Sequence, residues 1–221
     1  MTSGDRGFGV IPDVLASVQV DSLITALAGS TRSRAGARHL MQDERVVRVA
    51  ADPRLVDIAS AALGSPAVPY RATLFDKSPG ANWLVVWHQD TALPLQQRRE
   101  VEGWGPWSTK AGIIYAHAPA TALKRLVALR VHLDDSTSEN GPLRVIPGSH
   151  ELGVLSDAAI HDLVAQGRPH ECTVARGGIL VMRPLLVHAS SKSVSAAPRR
   201  VLHLEYASTM TFEPDLRLRV A

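Results

Sequence analysis

The sequence predicts a mainly β fold, a sandwich or jelly roll with a layer of helices packed on one outer face. Three observations predict it. The first seventy of its 221 residues carry helical spacing and helix punctuation. From Tyr70 onward the chain changes to short apolar runs bounded by Gly, Pro and polar turns, the pattern of strands. A single helical segment interrupts those runs, which excludes regular βαβ alternation.

Each element follows from its residues. Ser22 to Ala28 places Leu23, Ile24 and Leu27 on one face, with Asp21 before it and Gly29 after it. The next helix is better punctuated: Asp52 is its N-cap, Pro53 its first helical residue and Gly64 its stop, with Leu55, Ile58, Ala59 and Ala62 at helical spacing. Expected strands are 71–76, 83–88, 113–116, 126–133, 143–146, 171–174, 179–182 and 201–206, with a helix over 157–165. Residues 91–111 read as a lid, because a loop of that length with two tryptophans, Trp104 and Trp107, is seldom mere disorder. The whole chain reads as one domain: an N-terminal helical layer over 1–69 and a jelly-roll core over 70–207.

Composition narrows the function classes. The formal charge is +3, and the arginines fall in short clusters (Arg32, Arg34 and Arg38; Arg98 and Arg99; Arg199 and Arg200) rather than a stripe. Nucleic acid is therefore not an expected partner. No apolar run approaches the roughly 18 residues of a membrane span. One cysteine, Cys172, excludes an internal disulfide and a Cys-based zinc site. That suits a reducing cytoplasm.

The chemistry must then lie among nine histidines. His88 ends an apolar strand and Asp90 follows two positions on, where the chain turns out of the sheet. A His-x-carboxylate pair plus a distant His is the 2-His-1-carboxylate set that holds a non-heme Fe(II) and leaves positions open. The pair alone is weak, since composition predicts roughly half such a pair by chance, and His132-Leu133-Asp134 is a second one. Downstream spacing decides for the first. Between His88 and His188 there is room for several strands, so the chain can leave the site and return on the facing sheet. Arg199 opens the last strand eleven residues after His188. A guanidinium there can grip a carboxylate bidentately, as a 2-oxoglutarate cosubstrate requires. Alternation along 126–133 puts Arg130 and His132 on one face, and a buried Arg calls for a carboxylate partner.

These pieces resemble the phytanoyl-CoA dioxygenase-like family of Fe(II)/2-oxoglutarate oxygenases. The similar segments are Trp87-His88-Gln89-Asp90, Asn140-Gly141-Pro142-Leu143 running into Ile146-Pro147-Gly148-Ser149-His150, then His188-Ala189-Ser190 and Arg199. The resemblance implies a double-stranded β-helix (cupin-like) and iron on His88, Asp90 and His188. It also implies 2-oxoglutarate on Arg199 and Ser190, with Thr73 and Arg130 lining the cosubstrate pocket. It further implies O2 as oxidant and hydroxylation of a C–H bond in a small metabolite, with succinate and CO2 released. An acyl-CoA substrate is not expected, since no Lys/Arg platform for the nucleotide phosphates is evident.

Other readings stay open. The same cofactor chemistry serves desaturation, cyclisation or epimerisation. A cupin-like zinc metallohydrolase would not need Arg199, and a non-catalytic binding module would not need all three ligands. His132 and His203 are expected near the pocket, His150 in a turn, and His39, His117, His161 and His170 facing solvent. Arg200 is expected to be a surface charge. A monomer or homodimer fits the chain.

Overall fold

The computed structural model describes residues 6–29, 36–78, 81–213 and 215–221; Arg32 and Arg34 lie outside them. The strands used below are β1 (Phe8–Ile11), β2 (Gly36–Ala37), β3 (Val68–Lys77), β4 (Val85–His88), β5 (Ala92–Leu95), β6 (Trp107–Lys110), β7 (Ile113–His117), β8 (Leu126–His132), β9 (Leu143–Val145), β10 (His170–Cys172), β11 (Ile179–Met182), β12 (His188–Ser190) and β13 (Arg199–Ala207). A six-stranded sheet in the order β1-β11-β8-β13-β3-β2 faces a four-stranded sheet in the order β10-β9-β12-β4. The pairs are antiparallel throughout. This is the expected jelly roll.

Alternation along the strands sorts the side chains of the large sheet. Leu74, Leu129, Val131, Leu202 and Leu204 point outward and are buried against three helices, α1 (Ser17–Leu27), α2 (Glu44–Ala50) and α3 (Pro53–Leu63). The helices supply Val20, Leu23, Val46, Ala50, Leu55 and Ala59 to the same core. α3 has the punctuation read from the sequence: the Asp52 side chain accepts from Arg54 N, and Gly64 closes the helix at φ 71°. Between the sheets lies a second apolar cluster that includes Ala128, Leu143, Val145, Leu180 and Met182.

Three expectations need correction. The N-terminal layer is not purely helical, because β1 and β2 cap the two edges of the large sheet. Both are short and pair with distant partners, so local pattern does not announce them. The first helix begins at Ser17 rather than Ser22, so Asp21 lies inside it. Residues 91–111 are not a lid without structure of its own. β5 and β6 flank β7 in a separate three-stranded sheet, and Trp104 is buried in the apolar cluster beneath it.

Candidate functional site

His88 and His188 sit directly opposite one another on paired strands β4 and β12 of the small sheet, with ring centroids 4.2 Å apart. Asp90 follows in the turn after β4. Its carboxylate oxygens lie 3.6 Å from His88 Nε2 and 3.5 Å from His188 Nε2. The three ligand atoms all fall within 4.8 Å of one another, and this is the candidate metal-binding group among the described residues.

Backbone geometry fixes which nitrogen faces the centre. His88 Nδ1 lies 2.8 Å from the Val86 carbonyl, and His188 Nδ1 lies 2.8 Å from the Leu186 carbonyl. A carbonyl only accepts, so each Nδ1 carries the proton and each Nε2 presents a lone pair. Burial pushes His188 down to about 4, so it is neutral at physiological pH. Burial works against charge on His88 too, but Asp90 outweighs it and raises His88. For Asp90, burial raises the pKa, yet His188 and His88 beside it hold the carboxyl well below the usual range. Two imidazole lone pairs and one ionised carboxylate fit a divalent iron and leave coordination positions open.

Gln89 locks the turn between the ligands. Its buried amide donates to the carbonyls of Gly153 (2.8 Å) and Leu185 (2.7 Å), and its oxygen accepts from Leu155 N (2.8 Å). The Asp90 amide donates to the Pro184 carbonyl at 2.9 Å. The residue between the two ligands of the motif was the signal for this anchor.

The triad opens into a cavity of about 490 Å³ whose far end holds a cationic cluster on the large sheet. Arg199 and Lys77 are paired across β13 and β3. Lys77 Nζ (2.8 Å) and Arg199 Nη2 (3.3 Å) both donate to the Ser190 hydroxyl, which donates in turn to the Gly141 carbonyl at 2.8 Å. Arg199 Nε donates to the Asn140 carbonyl at 3.1 Å, and Lys77 Nζ also donates to the Ser191 carbonyl. The Asn140-Gly141-Pro142 turn therefore positions the cluster. Only glycine suits position 141, at φ 68° with Ser191 O 2.3 Å from where a Cβ would stand. Burial first, and the neighbouring guanidiniums second, lower Lys77 to about 7; burial and Arg130 lower Arg199 to about 9. Among the described residues no carboxylate is paired with these buried cations, and such a pair of cations suits a dicarboxylate ligand.

Thr73 and Arg130 line the same cavity, in one cross-strand row with His203. Among the described residues no carboxylate is bonded to Arg130. It donates to His203 Nδ1 at 3.3 Å and lies 5.2 Å from the Phe75 ring centroid.

The structure separates the rival pair. Asp134 is held bidentately by Arg200 at 2.8 and 2.7 Å, so Arg200 is a half-buried ion-pair partner rather than a plain surface charge. His132 is buried, and burial together with Arg130 and Arg199 lowers it to about 3. His39 departs from the expectation of a solvent-facing residue. It is half-buried and lines the cavity, because an unusual left-handed backbone turns it inward. His117, His161 and His170 are exposed, and His117 stands at the cavity mouth. Lys77 lies one residue past the strand that the sequence pattern predicts; β3 continues through it, and it extends the alternating row of Thr73 and Phe75.

The sequence profile described as Phytanoyl-CoA dioxygenase (PhyH) matches residues 10–201. The chain belongs to the phytanoyl-CoA dioxygenase family. Among curated members of similar sequence are the L-proline trans-4-hydroxylase of Streptomyces griseoviridis and the ectoine dioxygenase of Sphingopyxis alaskensis. The first is 28% identical over 192 residues, covering 74% of this chain and 63% of its own length. The second is 24% identical over 213 residues, covering 86% of this chain and 62% of its own length. This phytanoyl-CoA dioxygenase family chain therefore spans under two thirds of either relative. Its fold is also that of HygX from Streptomyces hygroscopicus, a structure with nickel and 2-oxoglutarate bound. The TM-score is 0.68 at 20% identity, with 95% of this chain and 85% of HygX covered.

Proposed function

We propose that the protein is an Fe(II)/2-oxoglutarate-dependent dioxygenase that hydroxylates a C–H bond of a small-molecule metabolite. The observation that carries this reading is the convergence of His88 Nε2, His188 Nε2 and the Asp90 carboxylate in one cavity with Arg199 and Ser190. Bound iron supplies O2 activation, which couples decarboxylation of 2-oxoglutarate to succinate and CO2 with delivery of one oxygen atom to the substrate carbon. The chain's own residues do the rest. His88, His188 and Asp90 hold the metal. Arg199 grips the far carboxylate of the cosubstrate, and Ser190 ties Arg199 to Lys77 beside it. Thr73 and Arg130 line the space between. Gln89 keeps the two ligands of the turn at a fixed spacing. Relatives that act on proline and ectoine support a small polar substrate. We read the chain as one oxygenase domain acting in the cytoplasm, consistent with its one buried free thiol.

The test is anaerobic titration of the protein with Fe(II) and then 2-oxoglutarate. It is followed by aerobic measurement of succinate and CO2 across a panel of amino acids and other small metabolites. A charge-transfer absorption that needs both additions is expected, and it should vanish in His188→Ala and Asp90→Ala. Absence of that absorption in the wild type, with no succinate from any panel member, would sink the proposal.

A further inference from the structure

The reading above, on which this inference rests, accounts for the far end of the cavity but not for its mouth. There Arg38, His39, Arg71, Lys110 and Tyr115 come together from three separate parts of the chain. The group is assembled around the Tyr115 ring. The Tyr115 hydroxyl is 2.9 Å from His39 Nε2; the Arg71 guanidinium and the Lys110 ammonium lie 5.6 and 5.5 Å from its ring centroid. His39 reaches this place with φ 60° and ψ 39°, a conformation that a non-glycine residue keeps only when its surroundings impose it.

The charges at this wall are unbalanced. Among the described residues the cavity is lined by five side chains of fixed positive charge, Arg38, Arg71, Lys110, Arg130 and Arg199, against two carboxylates, Asp90 and Glu205. Glu205 is already occupied: one oxygen accepts from the Tyr70 hydroxyl at 3.2 Å, and the other forms an ion pair with Arg71 Nε at 3.0 Å. Asp90 belongs to the metal. An iron dication and a 2-oxoglutarate dianion cancel one another, so the positive excess persists in the loaded site. Of the lid cations, Arg98 is paired with Glu100 at 2.8 Å and does not line the cavity, whereas Lys110 does. A cleft with one sign of charge and low-dielectric walls concentrates the opposite charge.

We infer that the substrate is an oxyanion, a small molecule whose carboxylate or phosphate docks on Arg38 and Lys110 beside Tyr115, and that it carries no free ammonium group. An Arg fork suits either oxyanion, and Lys110 adds a point charge. An ammonium group entering the same mouth would meet Arg38, Arg71 and Lys110, with no carboxylate of the described lining left to pair with it. The substrate would thus differ in charge from an amino acid zwitterion.

The experiment uses the full chain loaded with Ni(II), which blocks turnover, and saturated with 2-oxoglutarate. Calorimetric titration of Ni(II) and 2-oxoglutarate comes first, and failure at that step counts against the metal-site reading alone. The loaded protein is then titrated with cyclohexanecarboxylate, cyclohexyl phosphate, cyclohexanecarboxamide and cyclohexylammonium. The two anions are expected to bind at least about tenfold more tightly than the carboxamide, with the ammonium weakest. Whichever anion binds tighter distinguishes a carboxylate from a phosphate substrate. The double variant R38Q/K110Q, altered at two exposed side chains and checked for folding by its melting temperature, should lose that preference. The inference is overturned if neither anion binds at about 50 mM, if the carboxamide or the ammonium binds as well as the anions, or if the variant keeps the wild-type preference.

Discussion

The two faces of the large sheet are made by the same strands and could hardly differ more. On β3, β8 and β13 the outward residues are Ala72, Leu74, Val127, Leu129, Val131, Leu202, Leu204 and Tyr206, all buried against the helices. The inward residues one position away include Thr73, Lys77, Arg130, His132, Arg199, His203 and Glu205, also buried. A strand alternates its side chains, so a slip of one residue would exchange the two sets entirely. The outward face gains free energy from apolar burial. The inward face costs free energy in the absence of ligand, because its cations and imidazoles are desolvated. Burial lowers His132 to about 3 and Arg130 to about 10. Stability and chemistry are thus divided between odd and even positions of single strands, and the helical layer offsets what the pocket costs.

Substitutions on each face separate the two contributions. The largest expected effect is on the outward side. Leu204→Ala removes a fully buried side chain from the helix–sheet core and should cost roughly 2–5 kcal/mol of unfolding free energy in urea. The folded fraction should keep its affinity for Fe(II) and 2-oxoglutarate; a change beyond severalfold would show that the faces are coupled. Arg199→Met does the opposite. It should raise the Kd for 2-oxoglutarate about a hundredfold, as expected when one partner of a buried charge pair is removed. The melting temperature of the ligand-free protein should hold or rise. A destabilised Arg199→Met with unchanged affinity would reverse the assignment of the two faces.

This division also explains what could be read in advance. The strands of the large sheet are legible because alternation on β8 and β13 is regular, and His88, Asp90 and His188 stand out through their order and spacing. The Asp52-Pro53 start and Gly64 stop of α3 are local signals, and local signals survive folding intact. What escaped depends on distant partners. β1 is a four-residue strand whose pairing with β11 lies far along the chain. β5 and β6 become strands only because β7 lies between them. His39 enters the cavity through one residue of left-handed backbone, which its neighbours in sequence do not announce. The sequence pattern ends the strand at Asp76 and leaves Lys77 before Ser78-Pro79. Pairing with Arg199 extends β3 through it and turns a turn lysine into a buried one, 1% exposed.

Lys77 gives the smallest effect and the sharpest test of the inward face. Burial first, then Arg199 and Arg130, hold it at about 7, against 10.5 for an unperturbed lysine. Between those values the unfolded chain binds a proton that the ligand-free fold does not, so stability should rise with pH from about 7 towards 10.5. Below about pH 7 the penalty of the buried ammonium is fully present. Lys77→Met removes it, so the variant should melt higher than wild type at pH 6 and lose that pH dependence. It should also bind 2-oxoglutarate about tenfold more weakly, because one of two cations beside the Ser190 hydroxyl is gone. A bound carboxylate draws the Lys77 pKa back up, so binding above pH 7 takes up a proton and the wild-type Kd should climb with pH. The shifted cations and imidazole beside Lys77 lie outside the range just above pH 7: burial lowers His132 to about 3, Arg199 to about 9 and Arg130 to about 10. Between pH 7 and about 8.5 a slope that survives in Lys77→Met would therefore assign the proton to a group other than Lys77. A flat variant beside a sloping wild type would identify the ammonium as part of the cosubstrate site.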